Sequence, residues 1–341
     1  MRSFRLAVAV LTAFLPGRAA VSNAPDVTQY VNVFIGTGGH GHTHPGAAVP
    51  FGAVTLGPDT FNAGWDWVSG YHYTDSSIMG FSHTHLSGTG IGDMLDVLVM
   101  PRTGPVYTVP GERENPDAGY RSRFSHADEK AEPGYYSVLL KDQNIKAEFT
   151  VTERAGMHKY TFPASDSSHF IVDLVHGYGE RPRVLSSELK IVNGTTIAGG
   201  RRVGAWANGR HIYFAMEFSK PFDSAQIVSE EKFLEPGVRE AGGRSLKCVL
   251  KYRTAQGETI QVKVGLSGVS VEGAMRNLRK EMPGWDFDGI RRAAHDAWRR
   301  ELSKIVVEGK SRKQKEIFYT ALYHTLLCPT VFDDIDGQYR G

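Results

Sequence analysis

Three histidines at alternate positions form the most unusual segment of the sequence, His40-Gly41-His42-Thr43-His44. Alternate side chains of an extended strand point to one face, so two of these imidazoles could approach the same metal ion. The surrounding residues 36–57 are rich in glycine and contain no acidic residue or cysteine that could complete a ligand set. We therefore interpret the histidines as hydrogen-bonded loop residues beside a backbone that needs glycine for close approach.

Aromatic and histidine side chains crowd two further segments, residues 64–73 (GWDWVSGYHY) and residues 80–90 (GFSHTHLSGTG). Loops of this composition are costly to order, and a hydrophobic core does not require them. A tryptophan face stacks on the apolar face of a sugar ring, while His, Asp and Tyr side chains can bond its hydroxyls. The pattern suggests either a sugar-binding surface or a purely structural loop cluster, and composition alone does not decide between them.

Carboxylates gather near the end of the chain, in Asp333-Asp334-Ile335-Asp336-Gly337. Such a cluster can bind calcium or hold sugar hydroxyls. The segment lacks the remaining acidic positions and the closing Glu of a helix-loop-helix calcium site, so that specific match fails. The other interpretation is a capping turn after a helix.

Short alternating apolar runs, separated by turn residues, extend from about residue 27 to residue 266 and are typical of antiparallel strands. The clearest runs are residues 135–140, 169–175, 212–218 and 260–264. Asn208-Gly209 predicts a hairpin before the third run. No helical periodicity interrupts the region, which favours a two-layer sandwich over a parallel α/β sheet.

Helical periodicity begins near residue 271. Residues 271–281 and 287–305 carry apolar side chains at three- and four-residue steps, and a third helix is predicted from about 312 to 328, before Pro329. Asp286 can cap the second helix through its carboxylate. Apolar stripes of this kind need several helices to cover them, so we expect the chain to be part of a longer protein with a helical domain.

The first 20 residues predict a secretory signal peptide, with Arg2 and Arg5 at its start, an apolar stretch over residues 6–15 and a small-x-small cleavage site at residues 17–19. The apolar stretch is too short to span a bilayer. We therefore expect an exported protein, secreted or periplasmic, without membrane association after signal cleavage.

Composition narrows the possible partners. The 39 basic and 37 acidic residues give a net charge of +2 without a basic stripe, so binding to nucleic acid is not expected. Two cysteines, Cys248 and Cys328, are too few for a disulfide framework. Cys248 alternates with apolar neighbours, which predicts a small buried hydrophobe. The sequence predicts no oligomeric state.

The order of these segments resembles glycoside hydrolase family 92. The N-terminal domain of that family is similar to Tyr30-Val31-Asn32-Val33-Phe34-Ile35-Gly36-Thr37, to Pro50-Phe51-Gly52 with Pro58-Asp59-Thr60, to Ser69-Gly70-Tyr71 and above all to residues 80–90. Residues 318–325 and 334–341 resemble the opening of the family's helical domain. The resemblance covers nearly the whole chain after the predicted signal peptide.

This resemblance implies a calcium-dependent, inverting exo-α-mannosidase that acts on mannose-containing glycans. The implied fold is mainly β: a large antiparallel β-sandwich of the galactose-mutarotase-like supersandwich type over residues 27–268, a helical linker over 271–308, and the start of an (α/α)6 catalytic domain over 311–341. Inversion needs two carboxyl groups roughly 6.5–9.5 Å apart. The resemblance places both groups and the calcium ligands beyond Gly341, so this chain alone is expected to be inactive.

Particular residues inherit roles from the resemblance, motif by motif. Trp65 matches a tryptophan of the leaving-sugar subsite, with Trp67 as the alternative, and the acidic segment is expected to hold the terminal mannose. His83 and His85 are expected to brace loops at the domain interface. The expected substrate-binding residues are thus Trp65, Asp66, Trp67, Asp334, Asp336 and Arg340.

Two other functions remain open at this point. One is a non-catalytic carbohydrate-binding β-sandwich that uses Trp65, Trp67 and Tyr71 as a stacking platform. The other is a histidine-rich metal protein, built on His40, His42, His44, His83 and His85.

Overall fold

Antiparallel strands make up most of the computed structural model, which describes residues 25–179, 184–309 and 311–341. The predicted signal peptide, residues 1–20, lies outside the described residues. The strands from Ala47 to Ser267 are called the β-domain below, and the helices follow it.

The strands are short before residue 130 and longer afterwards. In chain order they are β1 (Ala47–Ala48), β2 (Thr55–Asp59), β3 (Ser77–Ile78), β4 (Gly80–Ser82), β5 (Leu98–Arg102), β6 (Ser122–Arg123), β7 (Glu129–Glu132), β8 (Tyr135–Leu140), β9 (Ile145–Val151) and β10 (Ala155–Phe162). They continue as β11 (Ser165–Asp173), β12 (Val184–Ile191), β13 (Thr196–Gly204), β14 (Asn208–Phe218), β15 (Ser224–Ser229), β16 (Lys232–Phe233), β17 (Glu240–Gly243), β18 (Leu246–Thr254) and β19 (Glu258–Ser267).

Two large sheets form the predicted sandwich within the described residues. One has eight strands in the order β1-β2-β4-β5-β11-β18-β15-β16, and the other has nine in the order β17-β12-β13-β14-β19-β10-β9-β8-β7. The small pair β3-β6 stands apart. Phe81, Phe149, Phe170, Phe214 and Val262 are fully buried in the cluster of apolar side chains between the large sheets. The predicted fold class, a mainly β antiparallel sandwich followed by helices, is confirmed.

The predicted hairpin joins β13 to β14, but its turn lies elsewhere. Asn208 and Gly209 belong to β14, and the turn is formed by Ala205-Trp206-Ala207 after a register shift near Gly204. The backbone N–H of Ala207 donates to the carboxylate of Asp93, 2.8 Å away. This distant hydrogen bond holds the turn before the Asn-Gly pair, which local sequence could not predict.

The first helix, α1 (Val271–Glu281), covers the outer face of the nine-stranded sheet. Ala274 and Leu278 are buried there with Met157 and Ala215 of the sheet. Gly265 permits this close approach, because a Cβ atom at that position would lie 2.3 Å from the carbonyl oxygen of Ala274.

Two further helices, α2 (Phe287–Leu302) and α3 (Arg312–Thr325), pack together with the segment before β1. Asp286 caps α2 as predicted, accepting from the N–H of Gly289 at 2.9 Å. Helix α2 ends at Leu302, three residues before the predicted end at Ile305. The carbonyl of Ile305 instead accepts a hydrogen bond from the hydroxyl of Tyr319. None of the described helices is both long and apolar enough to cross a membrane.

Trp298, in α2, is the largest fully buried side chain among the described residues. Its indole N–H donates to the carbonyl of Ala48 at 2.6 Å, and its ring lies 4.3 Å from that of Tyr323. The residue therefore joins α2 to α3 and both of them to the β-domain.

A chain of buried polar groups crosses the space between the two sheets. The Nδ1 atom of His83 lies 2.7 Å from the carbonyl of Val97, so His83 donates there and its Nε2 atom is an acceptor. Nε2 of His158, 2.9 Å away, donates to it, and Nδ1 of His158 accepts from the hydroxyl of Tyr160 at 2.7 Å. Both imidazoles are neutral in this pattern. Burial lowers the pKa of His83 to about 4 and also lowers the pKa of His158.

Replacing Trp298 tests the junction between the helices and the β-domain. Trp298→Ala should lower the free energy of unfolding by about 3–5 kcal/mol, because it leaves a large cavity and an unpaired carbonyl. Trp206→Ala is the control, since that side chain is 71% exposed, and should change the value by less than ~0.5 kcal/mol. Urea denaturation measures both, and equal losses would contradict the assigned packing.

Acidification tests the neutral histidine pair. Because burial lowers the pKa of His83 to about 4, against about 6.5 for a free imidazole, the unfolded chain takes up its proton first as the pH falls, and folding stability declines between those two values. The loss of folding free energy due to His83 approaches ~3 kcal/mol once the pH is below both of these pKa values. His83→Asn keeps a donor for the Val97 carbonyl and cannot titrate. Its stability should therefore fall less steeply over this pH range in denaturation experiments, and an unchanged slope would refute a neutral His83.

Candidate functional site

Trp65 presents the exposed aromatic face predicted for sugar stacking. It begins a short 3-10 helix, Trp65–Trp67, and is 56% exposed. The indole N–H donates to the carbonyl of Gly90 at 3.2 Å, which attaches this helix to the end of the predicted 80–90 segment. The rings of His40 and His42 flank the indole at centroid distances of 5.1 and 4.4 Å. A flat apolar surface framed by polar groups can bind a sugar ring.

Trp67, the alternative tryptophan, is held by the protein itself. Its indole N–H donates to the carboxylate of Asp75 at 2.7 Å, and its ring packs edge-on against Phe61. The guanidinium of Arg113 lies 4.8 Å from the ring centroid. These contacts leave Trp65 as the tryptophan of this segment that is open to a ligand.

Asp66 lies next to the exposed indole of Trp65, and its carboxylate is hydrogen-bonded to His40. Its Oδ1 atom is 2.6 Å from Nδ1 of His40, and this hydrogen bond lowers the pKa of the carboxyl. Its side chain is 32% exposed. Asp66 can therefore accept hydrogen bonds from hydroxyl groups next to Trp65.

The loop that carries Trp65 is supported by a residue that the sequence did not single out. The hydroxyl of Tyr178 donates to the carbonyl of Gly64 at 3.2 Å. Its ring passes over Gly92, where a Cβ atom would lie 2.3 Å from it, so only glycine fits. More than a hundred residues separate Tyr178 from Gly64 in the chain, which leaves no local sequence signal for this contact.

His85 belongs to a buried network that fixes the loops between the short strands. Its Nδ1 atom lies 2.7 Å from the carbonyl of Thr55 and its Nε2 atom 2.7 Å from Oδ1 of Asp59, so both ring nitrogens donate. Nε2 of His176 lies 2.8 Å from the other oxygen of Asp59. Burial alone would raise the pKa of Asp59, but the charge and hydrogen bond of His85 and those of His176 hold it well below its usual range. His83 and His85 thus lie inside the β-domain, and their expected role in bracing loops at the domain interface stays a prediction.

His44, Asp59 and His85 form the one described group of at least three potential metal ligands whose donor atoms all lie within 4.8 Å of one another. The rings of His44 and His85 stack at 3.5 Å. Nδ1 of His44 accepts from the N–H of Gly46 and its Nε2 donates to the carbonyl of Pro58. Nε2 of His85 and Oδ1 of Asp59 are hydrogen-bonded to each other at 2.7 Å, which leaves no room for an ion between them, so this group is a structural network.

A second buried carboxylate anchors the residues after the 80–90 segment. Asp96 accepts from Arg201 at 2.6 Å, from Arg210 at 2.7 Å and from the hydroxyl of Thr84 at 2.6 Å. Burial would raise the pKa of Asp96, but the two guanidinium groups keep it well below its usual range. These arginines come from β13 and β14, so the sequence did not reveal the cluster.

Asp334, predicted to hold the terminal mannose, is used within the fold. It is 2% exposed, and its oxygens accept from the hydroxyl of Ser267 at 2.8 Å and from the amide of Asn277 at 2.9 Å. The N–H of Ile335 donates to the side-chain oxygen of Asn277 at 2.8 Å. Asp334 therefore ties the acidic segment to the end of the β-domain and to α1.

Asp336 and Arg340 remain at the surface. Asp336 pairs with Arg276 at 2.8 Å, and Arg340 donates to the carbonyls of Gly268 and Val269 at 3.0 and 3.2 Å. Both side chains are therefore accessible to a ligand, and their sugar contacts stay predictions.

A cleft brings the 80–90 segment and the acidic segment together. It has a volume of about 100 Å³ and is lined by Thr84, Met94, Arg210, Asn277 and Asp334, among others. Among the described residues, no recorded hydrogen bond or ring contact joins Trp65 to residues 334–340. A single groove shared by Trp65 and Asp336 stays a prediction.

Comparisons with known proteins agree with this architecture. The family model "Glycosyl hydrolase family 92 N-terminal domain" matches residues 30–267, and "Glycosyl hydrolase family 92 catalytic domain" matches residues 273–341. A protein of Arthroderma benhamiae named "Uncharacterized secreted glycosidase" is 28% identical over 92% of this chain. The chain spans 43% of the length of that relative.

Solved structures of similar proteins extend the comparison. A family GH92 α-mannosidase of Bacteroides thetaiotaomicron, in complex with mannoimidazole, is 41% identical and superposes with a TM-score of 0.89 over 93% of this chain and 42% of its own. A family GH92 inverting mannosidase of the same organism is 27% identical, with a TM-score of 0.78 over 92% of this chain and 41% of its own. With both family models in sequence order along almost all of the described residues, the chain belongs to glycosyl hydrolase family 92.

Proposed function

We propose that this chain forms the N-terminal part of an exported exo-α-mannosidase that hydrolyses mannose-containing glycans with inversion. The observation that carries the proposal is the exposed face of Trp65, framed by His40, His42 and Asp66 beside the 80–90 segment. The α-mannosidase names of similar solved structures, one of them bound to mannoimidazole, support the sugar class. The secreted glycosidase among the relatives supports export.

In this proposal, Trp65 stacks on the leaving sugar and Asp66 accepts hydrogen bonds from its hydroxyl groups. The apolar face of the ring loses water against the indole, and the carboxylate fixes its rotation. Binding in one orientation would present the glycosidic bond to two carboxyl groups, one protonating the leaving oxygen and the other activating water on the opposite face.

The proposed catalytic carboxyl groups are not assigned to this chain. The carboxylates of the acidic segment are engaged elsewhere: Asp333 bonds Arg154 at 3.1 Å, Asp336 bonds Arg276, and Asp334 accepts from Ser267 and Asn277. Calcium takes six to eight oxygen ligands, so this set does not fit a calcium site. We therefore propose that the 341 residues alone do not turn over α-mannosides.

A second candidate is a non-catalytic carbohydrate-binding module. It is favoured by the position of Trp65, whose partners lie outside the helices: His40 and His42 come just before β1, and Gly90 lies between β4 and β5. A binding module of this kind would hold mannose oligosaccharides by itself. Calorimetry on the isolated chain separates the two candidates, because the module should bind and lose affinity in Trp65→Ala.

Turnover measurements test the proposed division of the enzyme. The 341-residue chain with calcium and an α-mannobioside should show no hydrolysis approaching the ~1 per second typical of enzymes. A form that carries a whole family 92 catalytic domain should release β-mannose first, as followed by NMR of the anomeric proton. Rapid turnover by the shorter chain would mean that its own residues supply the acid and base. Release of α-mannose would contradict inversion.

Replacing Trp65 tests the leaving-sugar contact in that longer form. Trp65→Ala should lower kcat/KM for a mannobioside by about 3- to 10-fold, the value of one aromatic stacking contact. Phe233→Ala is the matched control, because Phe233 is 45% exposed on the edge strand β16. The control should leave kcat/KM unchanged, and an equal effect of both substitutions would argue against a Trp65 subsite.

A further inference from the structure

His42 carries a buried nitrogen without a hydrogen-bond partner. The residue is only 6% exposed, and its Nδ1 atom lies 2.8 Å from the carbonyl of Thr89. A carbonyl accepts, so Nδ1 carries the proton and Nε2 presents a lone pair. Among the residues that the structure describes, this Nε2 atom has no partner. A buried polar atom without a partner calls for an explanation, and a bound ion or water is one.

Nε2 of His42 lies near a second electron-pair donor, the carboxylate of Asp66. Oδ1 of Asp66 lies 3.8 Å from Nε2, too far for a direct hydrogen bond. A zinc ion lies about 2.0–2.2 Å from imidazole nitrogen and carboxylate oxygen, so one ion can reach both atoms across this gap. The nitrogen ligand suits zinc, copper or nickel rather than calcium or magnesium.

His40 completes the pattern around this pair. Its Nδ1 atom bonds Asp66 at 2.6 Å, and the Thr89 carbonyl does the same for His42. Outer hydrogen bonds of this kind set the tautomer and orientation of metal ligands. The backbone of His42 has a φ of 56°, a left-handed conformation that is uncommon outside glycine. This backbone turn and the Thr89 hydrogen bond fix the position of the imidazole.

We propose that Nε2 of His42 and Oδ1 of Asp66 form a binding site for a divalent transition-metal ion such as zinc, oriented by His40 and completed by water. The site differs from the group of His44, Asp59 and His85, where Nε2 of His85 and Oδ1 of Asp59 are hydrogen-bonded at 2.7 Å and leave no room for an ion. A bound ion would attach the histidine-rich loop to the helix that carries Trp65. The proposal does not depend on glycoside hydrolysis.

Calorimetry with zinc chloride on the untagged 341-residue chain tests the site. One zinc ion should bind, and the affinity should fall at least tenfold in His42→Asn and in Asp66→Asn. Asparagine at position 42 places an amide donor near the Thr89 carbonyl and tolerates a positive φ, so it removes the ligand while preserving the loop. Circular dichroism confirms that both variants fold.

His295→Asn is the matched control. His295 also lies beside carboxylates, 3.6 Å from Asp26 and 3.8 Å from Asp296, but on the helical side of the molecule. Its loss should leave zinc affinity unchanged. Copper titration adds a local readout, since an ion at His42 should quench the fluorescence of Trp65, and Trp65→Phe should remove that quenching. The absence of zinc binding, or equal binding by the wild type and both ligand variants, would overturn the proposal.

Discussion

Two carboxylates buried between the strands and loops, Asp59 and Asp96, constrain the end of the sandwich that carries the candidate site. A buried carboxylate is costly unless charges or donors surround it. Asp59 obtains them from His85 and His176, and Asp96 from Thr84, Arg201 and Arg210. Each network joins residues far apart in the chain and so ties the glycine-rich loops to the strands.

The consequence of this constraint is a rigid surface for Trp65. The carbonyl of Gly90 accepts a hydrogen bond from the indole of Trp65, and Gly90 follows Thr84 and His85 in the same segment. The two buried networks therefore position the loop that contacts Trp65. Residues on a rigid base lose less entropy when they bind a ligand. The strained backbone of Met94, Leu95 and Val97, each with a positive φ, lies next to the same network. The Asp96 contacts hold this segment in place at the rim of the cleft.

Polar side chains also connect the β-domain to the helices. Asp334 holds the acidic segment against Ser267 and Asn277, and Trp298 joins two helices to Ala48. The histidine pair His83 and His158 crosses the interior between the sheets. Each of these buried polar groups has a hydrogen-bond partner, which offsets the cost of its burial. The hydrogen bonds also determine which side chains meet, which apolar packing alone does not.

The spacing of apolar residues along the sequence was sufficient to predict the fold class. Alternation at residues 135–140 and 260–264 predicted strands, and the change to three- and four-residue steps predicted the helices, because side-chain periodicity is a local property of the backbone. The motifs of residues 80–90 and 334–341 were sufficient to suggest the family, because their amino-acid sequences are long and uncommon. Composition left open whether residues 64–73 form a surface or a structural loop cluster: Trp65 is 56% exposed, whereas Tyr71 of the predicted stacking platform is buried in the core.

Tertiary structure alone decided which of these residues face solvent. Asp334 and Asp336 are two positions apart, yet the first is buried on Ser267 and the second lies at the surface beside Arg276. His40, His42 and His44 look alike in sequence, but they lie beside Asp66, beneath Trp65 and against His85, respectively. Burial and pairing depend on partners up to hundreds of residues away, and no local pattern encodes those distances.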